Sequence, residues 1–343
     1  MKALVLTEYK KFEVQDVAVP EVQPGEVLVR IKAVGICGSD VHGMDGSTGR
    51  RIPPIIMGHE ASGVIETVGS EVSLWKVGDR VTFDSTIYPL NDWYTAKGLY
   101  NLSDNRMVLG VSCGDYRRHG AFAEYVNVPQ HILYKLPDNV SFEHAAMVEP
   151  IAVALHALNL TTISLNDTAV VGGSGMIALF VIQLLKVAGC GKIIAFDIDQ
   201  SRLNLAQKMG ATHIFNANTD NVAAEVKNLT NGRGADIAFE VVGITSVLKT
   251  LIESVRKGAQ VTLVGNVSAE VQLPLQMVVT RQLKLQGSCA ICGEYEAALG
   301  LISQGKLDVD ALISAVAPLN EGEEWFNRLY NREPGLMKVL LKP

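Results

Sequence analysis

Short apolar runs separated by Gly and Pro fill residues 1 to about 153. Glu26-Val27-Leu28-Val29-Arg30-Ile31-Lys32 and Val77-Gly78-Asp79-Arg80-Val81 read as strands. Many turns and few long helices predict an irregular, mostly β domain. From about 154 to 289 the pattern changes. Thr168-Ala169-Val170-Val171 meets a glycine cluster, and a helical pattern covers 176–188. Lys192-Ile193-Ile194-Ala195-Phe196 ends in Asp197, and a helix over 201–209 stops at Gly210. Residues 237–242 and 261–264 read as further strands, each followed by Gly. Strands alternating with helices predict βαβ units and a parallel sheet.

The tail carries one helical pattern at 295–304 and a strand-like run at 336–341. Packed back on the first domain, it makes that domain discontinuous: 1–153 with 290–343, around a second domain at 154–289.

Gly173-Ser174-Gly175-Met176-Ile177-Ala178 fits G-x-G-x-x-G/A between a predicted strand and a predicted helix. The first Gly allows the tight turn, the second lets the backbone approach a pyrophosphate, and the small last residue allows close packing. The helix N-terminus then offers free N–H groups to phosphate. Asp197, about twenty residues on, is placed to bond the ribose hydroxyls, which favours NAD over NADP. Arg202 pulls the other way, since an Arg can receive a 2′-phosphate. The cofactor-binding set is therefore Gly173, Ser174, Gly175, Met176, Ile177, Asp197 and Arg202, with Val264, Gly265 and Asn266 after a later strand. The fold class is α/β, a doubly wound parallel Rossmann sheet plus the β-rich domain.

With 343 residues, about two domains are expected. Hydrophobic residues at 48% and charged residues at 19% exclude a disordered chain. A formal net charge of −6, with basic residues no denser than the pairs Arg50-Arg51 and Arg117-Arg118, argues against a nucleic-acid partner. No apolar run is long and clean enough for a membrane span, and the N-terminus turns polar too early for a signal peptide. Five cysteines, few and odd in number, suit a reducing, cytoplasmic compartment rather than a disulfide framework. The C-x-x-C spacing of Cys289 and Cys292 reads as a strand end rather than a redox pair.

Cys37, His59 and Glu60 stand out in the β-rich domain. Thiolate, imidazole and carboxylate form a borderline-soft set that suits zinc, and three ligands leave a fourth position for water or substrate. Taken alone, such a Cys and His read as a core thiol and a surface imidazole.

Gly58-His59-Glu60-Ala61-Ser62-Gly63, with Gly69 and Val72 following, resembles the zinc signature of medium-chain alcohol dehydrogenases. Gly35-Ile36-Cys37-Gly38-Ser39-Asp40, Gly78-Asp79-Arg80-Val81, Glu149-Pro150 and Lys338-Val339-Leu340 are similar to that family as well, so the resemblance spans the chain. Glu149-Pro150 and Ser39-Asp40-Val41-His42 resemble the polyol branch, typified by sorbitol and L-iditol dehydrogenases.

The resemblance implies a GroES-like catalytic domain holding one catalytic zinc on Cys37, His59 and Glu60. It implies that Glu149 contacts zinc-bound water or exchanges in as a ligand, and that Asp40 orients His59. It implies hydride transfer from a secondary hydroxyl of a polyol or sugar derivative to NAD. The proton would pass from Ser39 through the cofactor ribose to His42. The resemblance also implies a homodimer or homotetramer.

Two departures qualify the resemblance. The four cysteines of a structural zinc align with Pro89, Asp92, Thr95 and Ser103, so no four-thiolate site is expected, and Tyr88, Trp93, Tyr94 and Tyr100 are left to pack the lobe. A substrate-contacting tyrosine aligns with Gly43, and an Arg-Tyr pair with Ala290-Ile291, which suggests a pocket wider than D-sorbitol needs. Two alternatives stay open: a zinc-free quinone or enone reductase of the same superfamily, and a non-catalytic nucleotide-binding structural protein.

Overall fold

In the computed structural model, which describes residues 1–343, the strand Glu26–Gly35 is the spine of the β-rich part of the chain. It pairs antiparallel with Glu60–Val68, Tyr125–Pro129 and the C-terminal strand Lys338–Lys342. This seven-stranded sheet runs on through Arg80–Phe83 to Leu133–Lys135 on one side, and to Ile313–Pro318 on the other. A smaller sheet joins Lys2–Glu8 to Lys11–Asp16 and Ile55–Ile56. Val27, Val29 and Ile31 project into one core with Phe12, Phe122 and Phe326. Phe326, on the helix Gly322–Tyr330, stacks on Phe12 at 4.4 Å and meets Phe122 edge-on at 5.6 Å, so the tail helix closes this core.

The strand expected at 77–81 starts only at Arg80. Gly78 takes a φ of +92°, and its N–H bonds back to the Ile65 carbonyl at 2.9 Å, so 77–79 forms a turn.

The second part is a six-stranded, wholly parallel sheet. Its spatial order is His213–Asn216, Lys192–Asp197, Thr168–Gly172, Ala235–Glu240, Val255–Leu263, Lys284–Gly287. Numbered along the chain this is 3-2-1-4-5-6, the doubly wound order of a Rossmann sheet. Ala169, Val170 and Val171 are all 0% exposed, as a parallel strand covered on both faces demands. The helices Met176–Val187, Gln200–Met209, Val222–Leu229 and Thr245–Ser254 connect the strands.

By internal contacts the β-rich unit comprises Met1–Glu149, Ile291–Gly305 and Val309–Pro343, and the Rossmann unit Pro150–Ala290 with Lys306–Asp308. The first break falls between Glu149 and Pro150, near the start of the helix Val148–Asn159. No helix is long and apolar enough to cross a membrane.

Candidate metal and nucleotide sites

The register of the main sheet sets Gly35 opposite Glu60. The chain leaving Gly35 reaches Cys37 just where the chain entering at His59 arrives. Side-chain donor atoms of Cys37, His59 and Glu60 consequently lie within 4.8 Å of one another. His59 is 5% exposed and Glu60 1%. A Cβ on Gly35 would stand 2.3 Å from Glu60 Oε2, so only glycine leaves room for that carboxylate. Glu60 Oε2 accepts from Lys338 Nζ at 2.5 Å, and Lys338 also donates to the Ile36 carbonyl at 3.0 Å.

Cys37 caps the helix Gly38–Gly43, and its sulfur accepts from the Ser39 N–H at 3.4 Å and the Ser39 hydroxyl at 3.3 Å. Loss of water around the thiol, and then the nearby Glu60 charge, push its pKa well above the usual range. A divalent cation reverses both effects, because a coordinating thiol is deprotonated outright. Thiol, imidazole and carboxylate at this spacing fit zinc.

Glu149 is not within that three-residue cluster. Its Oε1 accepts from Ser85 Oγ at 3.3 Å. Burial raises its carboxyl to about 7 against the pull of His59, with Glu60 adding to the rise.

Ser39 and His42 share the short helix three positions apart, which places them on one face. Both are exposed. Asp40, on the same helix, is 0% exposed. Its Oδ2 faces His59 Nδ1 at 3.5 Å, and its Oδ1 accepts from Arg51 Nε and Nη2 at 3.0 and 2.8 Å.

Gly43 does not open a cavity. A Cβ there would meet Arg51 Cγ at 2.5 Å and Thr48 Oγ1 at 3.3 Å, so the space belongs to the Arg51 stem. Ala290 is exposed with φ +53°, and Ile291 is 0% exposed. The inference of a wider pocket from Gly43 is therefore corrected.

In the lobe, Tyr88 stacks on Tyr100 at 4.1 Å and Trp93 meets Tyr94 edge-on at 5.1 Å. The Tyr100 hydroxyl donates to Asp84 at 2.7 Å, and Asp92 accepts from the Thr95 N–H at 2.9 Å.

In the Rossmann unit, Gly173 takes φ +100°, and Gly175 is the N-cap of Met176–Val187 with no side chain capping it. A Cβ on Gly175 would meet nothing within 4 Å. The first turn therefore presents uncapped N–H groups to open space, which fits a pyrophosphate. The buried Ser174 hydroxyl has no partner. Asp197 Oδ2 accepts from the Ser174 N–H at 2.7 Å, and Oδ1 from Ile198 and Asp199 at 2.7 and 3.0 Å. The acid thus ties the second strand to the glycine turn. Arg202 Nε stands 3.9 Å from Asp199, at a partly exposed site. Val264 and Gly265 donate to the Glu240 carbonyl at 2.8 and 3.0 Å, which holds 264–266 beside the strand end at Glu240.

Lys338, Arg51 and Ser85 were not anticipated as site residues. A Lys opening an apolar strand was the one local signal, in Lys338-Val339-Leu340-Leu341.

A chain that carries both a nicotinamide-type nucleotide fold and a buried thiol–imidazole–carboxylate cluster is a metal-assisted dehydrogenase. The comparisons give the family. Residues 177–304 match zinc-binding dehydrogenases, and residues 23–138 match the alcohol dehydrogenase GroES-like domain. Sorbitol dehydrogenase of Bacillus subtilis (strain 168) is 32% identical over 347 aligned residues, covering 100% of this chain and 97% of the relative. Galactitol-1-phosphate dehydrogenase from Escherichia coli superposes with a TM-score of 0.93 at 28% identity, over 100% of both chains. A zinc-binding dehydrogenase from Sinorhizobium meliloti 1021, crystallised with NADP, gives a TM-score of 0.90 at 28% identity, over 100% of this chain and 99% of the other. The chain belongs to the zinc-binding medium-chain alcohol and polyol dehydrogenase family, and it is an enzyme with zinc and a nicotinamide cofactor.

Proposed function

We propose that the enzyme oxidises a secondary hydroxyl of a polyol or sugar derivative, reversibly, with NAD as acceptor and one zinc per chain. The observation that carries this reading is the clustering of Cys37, His59 and Glu60 within 4.8 Å, beside the hydroxyl of Ser39. Those three residues would hold the metal. Bound zinc supplies Lewis acidity that brings the pKa of an alcohol toward neutrality.

The protein's own groups do the rest. Ser39 accepts the substrate's hydroxyl proton as it hands on its own, and His42, exposed on the same helix, releases a proton to solvent at the end of the relay. Glu149, held by Ser85, is a buried carboxyl that feels His59 and Glu60 and serves as a base or exchanging ligand. The uncapped helix at Gly175 binds the pyrophosphate, and the Asp197 carboxylate disfavours the extra phosphate of NADP. The polyol preference is supported by the sorbitol and galactitol-1-phosphate relatives.

Pro89, Asp92, Thr95 and Ser103 offer no thiolate, which supports a single metal. Five cysteines, few and odd in number, suit the cytoplasm. The edge strand Lys284–Gly287, with exposed Leu275 and Val279 nearby in sequence, suits a homo-oligomer.

The test is zinc per chain in protein purified without added metal, followed by a panel of polyols and sugar phosphates with NAD⁺ and NADP⁺. One zinc and NAD⁺-dependent turnover are expected. Full activity after chelation would favour the zinc-free reductase, and tight NADH binding with no turnover the structural protein.

A further inference from the structure

Arg51 is 4% exposed, and nothing in the motifs of the zinc site calls for a buried cation at that position. Its guanidinium spends two N–H groups, Nε and Nη2, on the same oxygen of Asp40, at 3.0 and 2.8 Å. Nη2 also lies 3.4 Å from Ser39 Oγ, and Nη1 donates to the Arg50 carbonyl at 2.9 Å. The backbone is pinned as well. Arg51 bridges Ser112, and the Ile52 N–H bonds the Ser112 carbonyl at 3.0 Å. The aliphatic stem lies against Gly43, where no side chain would fit beside it.

The consequence is an asymmetric carboxylate. Oδ1 of Asp40 is saturated by Arg51. Oδ2 is buried with no hydrogen bond, and so is His59 Nδ1, 3.5 Å away. Two orphaned atoms facing each other leave one productive arrangement. That arrangement is a proton on His59 Nδ1 facing Oδ2, which would leave the Nε2 lone pair for a metal. Without Arg51 the buried carboxylate would lack a counter-charge and be free to turn.

We propose that Arg51 is a positioning residue for metal binding. By clamping one oxygen of Asp40 it reserves the other for His59, which fixes the imidazole tautomer and rotation that the metal needs. The inference rests on the reading of Cys37, His59 and Glu60 as metal ligands. A planar fork serves this better than an ammonium, which is a single point charge and cannot hold one carboxylate oxygen from two directions while reaching Ser39.

The test compares wild type with Arg51→Met, Arg51→Lys and His59→Ala. Arg51→Met keeps the stem over Gly43 and removes every donor. The first readout is the rate of zinc transfer to a chromogenic chelator. The second is the 15N spectrum of histidine-labelled, metal-free protein, which distinguishes a protonated from an unprotonated Nδ1. Arg51→Met should lose zinc about 10–100-fold faster than wild type, with Arg51→Lys between them. His59 should change from one tautomer to a mixture, while NADH binding stays as in wild type. Wild-type zinc release and a wild-type His59 spectrum in both Arg51 variants overturn the inference. Should Arg51→Met not fold, the Lys variant decides by the same two readouts. If His59→Ala keeps its zinc, the ligand assignment itself has failed, which is a different result.

Discussion

Lys338 Nζ lies 2.5 Å from Glu60 Oε2, with the two side chains 3% and 1% exposed. The strand carrying Lys338 is hydrogen-bonded to the strand that leads into Cys37. The pair therefore supplies a positive charge to a candidate ligand from the far end of the chain.

Replacing Lys338 with Met should expose that dependence. An unpaired buried carboxylate costs on the order of 3–5 kcal/mol. Urea unfolding of metal-free Lys338→Met should show a loss of about that size. Added zinc should recover more stability in the variant than in wild type, because the dication replaces the missing ammonium. An equal deficit with and without zinc would show that Lys338 and the metal do not share Glu60.

Gly43 is the second case. If its space belongs to the Arg51 stem, Gly43→Ala forces overlap at 2.5 Å and should cost roughly 1–3 kcal/mol of stability. It should also speed zinc loss, as Arg51→Met should. A Gly43→Ala protein of normal stability that merely discriminates against larger substrates would restore the wider-pocket reading.

Asp197 should set the choice of cofactor. Asp197→Asn keeps an acceptor for the Ser174 N–H, now at 2.7 Å, and removes the charge. The kcat/KM for NADP⁺ should rise relative to NAD⁺ by about tenfold or more, equivalent to roughly 1.4 kcal/mol. An unchanged ratio would move the discrimination elsewhere, with Arg202 the next candidate.

Asp84 gives a pH signature of its own. It is 0% exposed, and burial raises its pKa to about 6 from 3.8, against bonds from the Thr86 N–H and the Tyr100 hydroxyl. The folded state thus disfavours the ionised form. The penalty is absent below pH about 4, grows as pH rises to about 6, and is constant above, at on the order of 3 kcal/mol. Asp84→Asn should flatten the fall in stability across that window. A slope identical to wild type would assign it to other groups.

The candidate nucleotide turn was legible as a structure because its parts are contiguous: a strand, a glycine turn, a helix and an acid at the next strand end. Local pattern also fixed the helices at 176–187 and 200–209 to within a residue or two. The cluster at Cys37, His59 and Glu60 was legible through resemblance, since no local pattern draws a thiol and an imidazole together across a β-turned segment. Arg51, Ser85 and Lys338 act through contacts at separations of 11, 64 and 278 residues, which leave no period in the sequence. Gly43 misled for a related reason. A missing side chain looks like empty volume until the residue that fills it is seen.

The strand Lys338–Lys342 also bears on how the enzyme is made. During synthesis Glu60 emerges 278 residues before its cation. At about 5–20 residues per second, that interval is roughly 14–56 s. Through it the nascent sheet has a raw edge beside Gly35, and a carboxylate with no positive neighbour along the strand. Early metal capture or a holding chaperone would matter most in that window. Variants that slow translation of the C-terminal third should lower the yield of native enzyme without altering the specific activity of the molecules that finish.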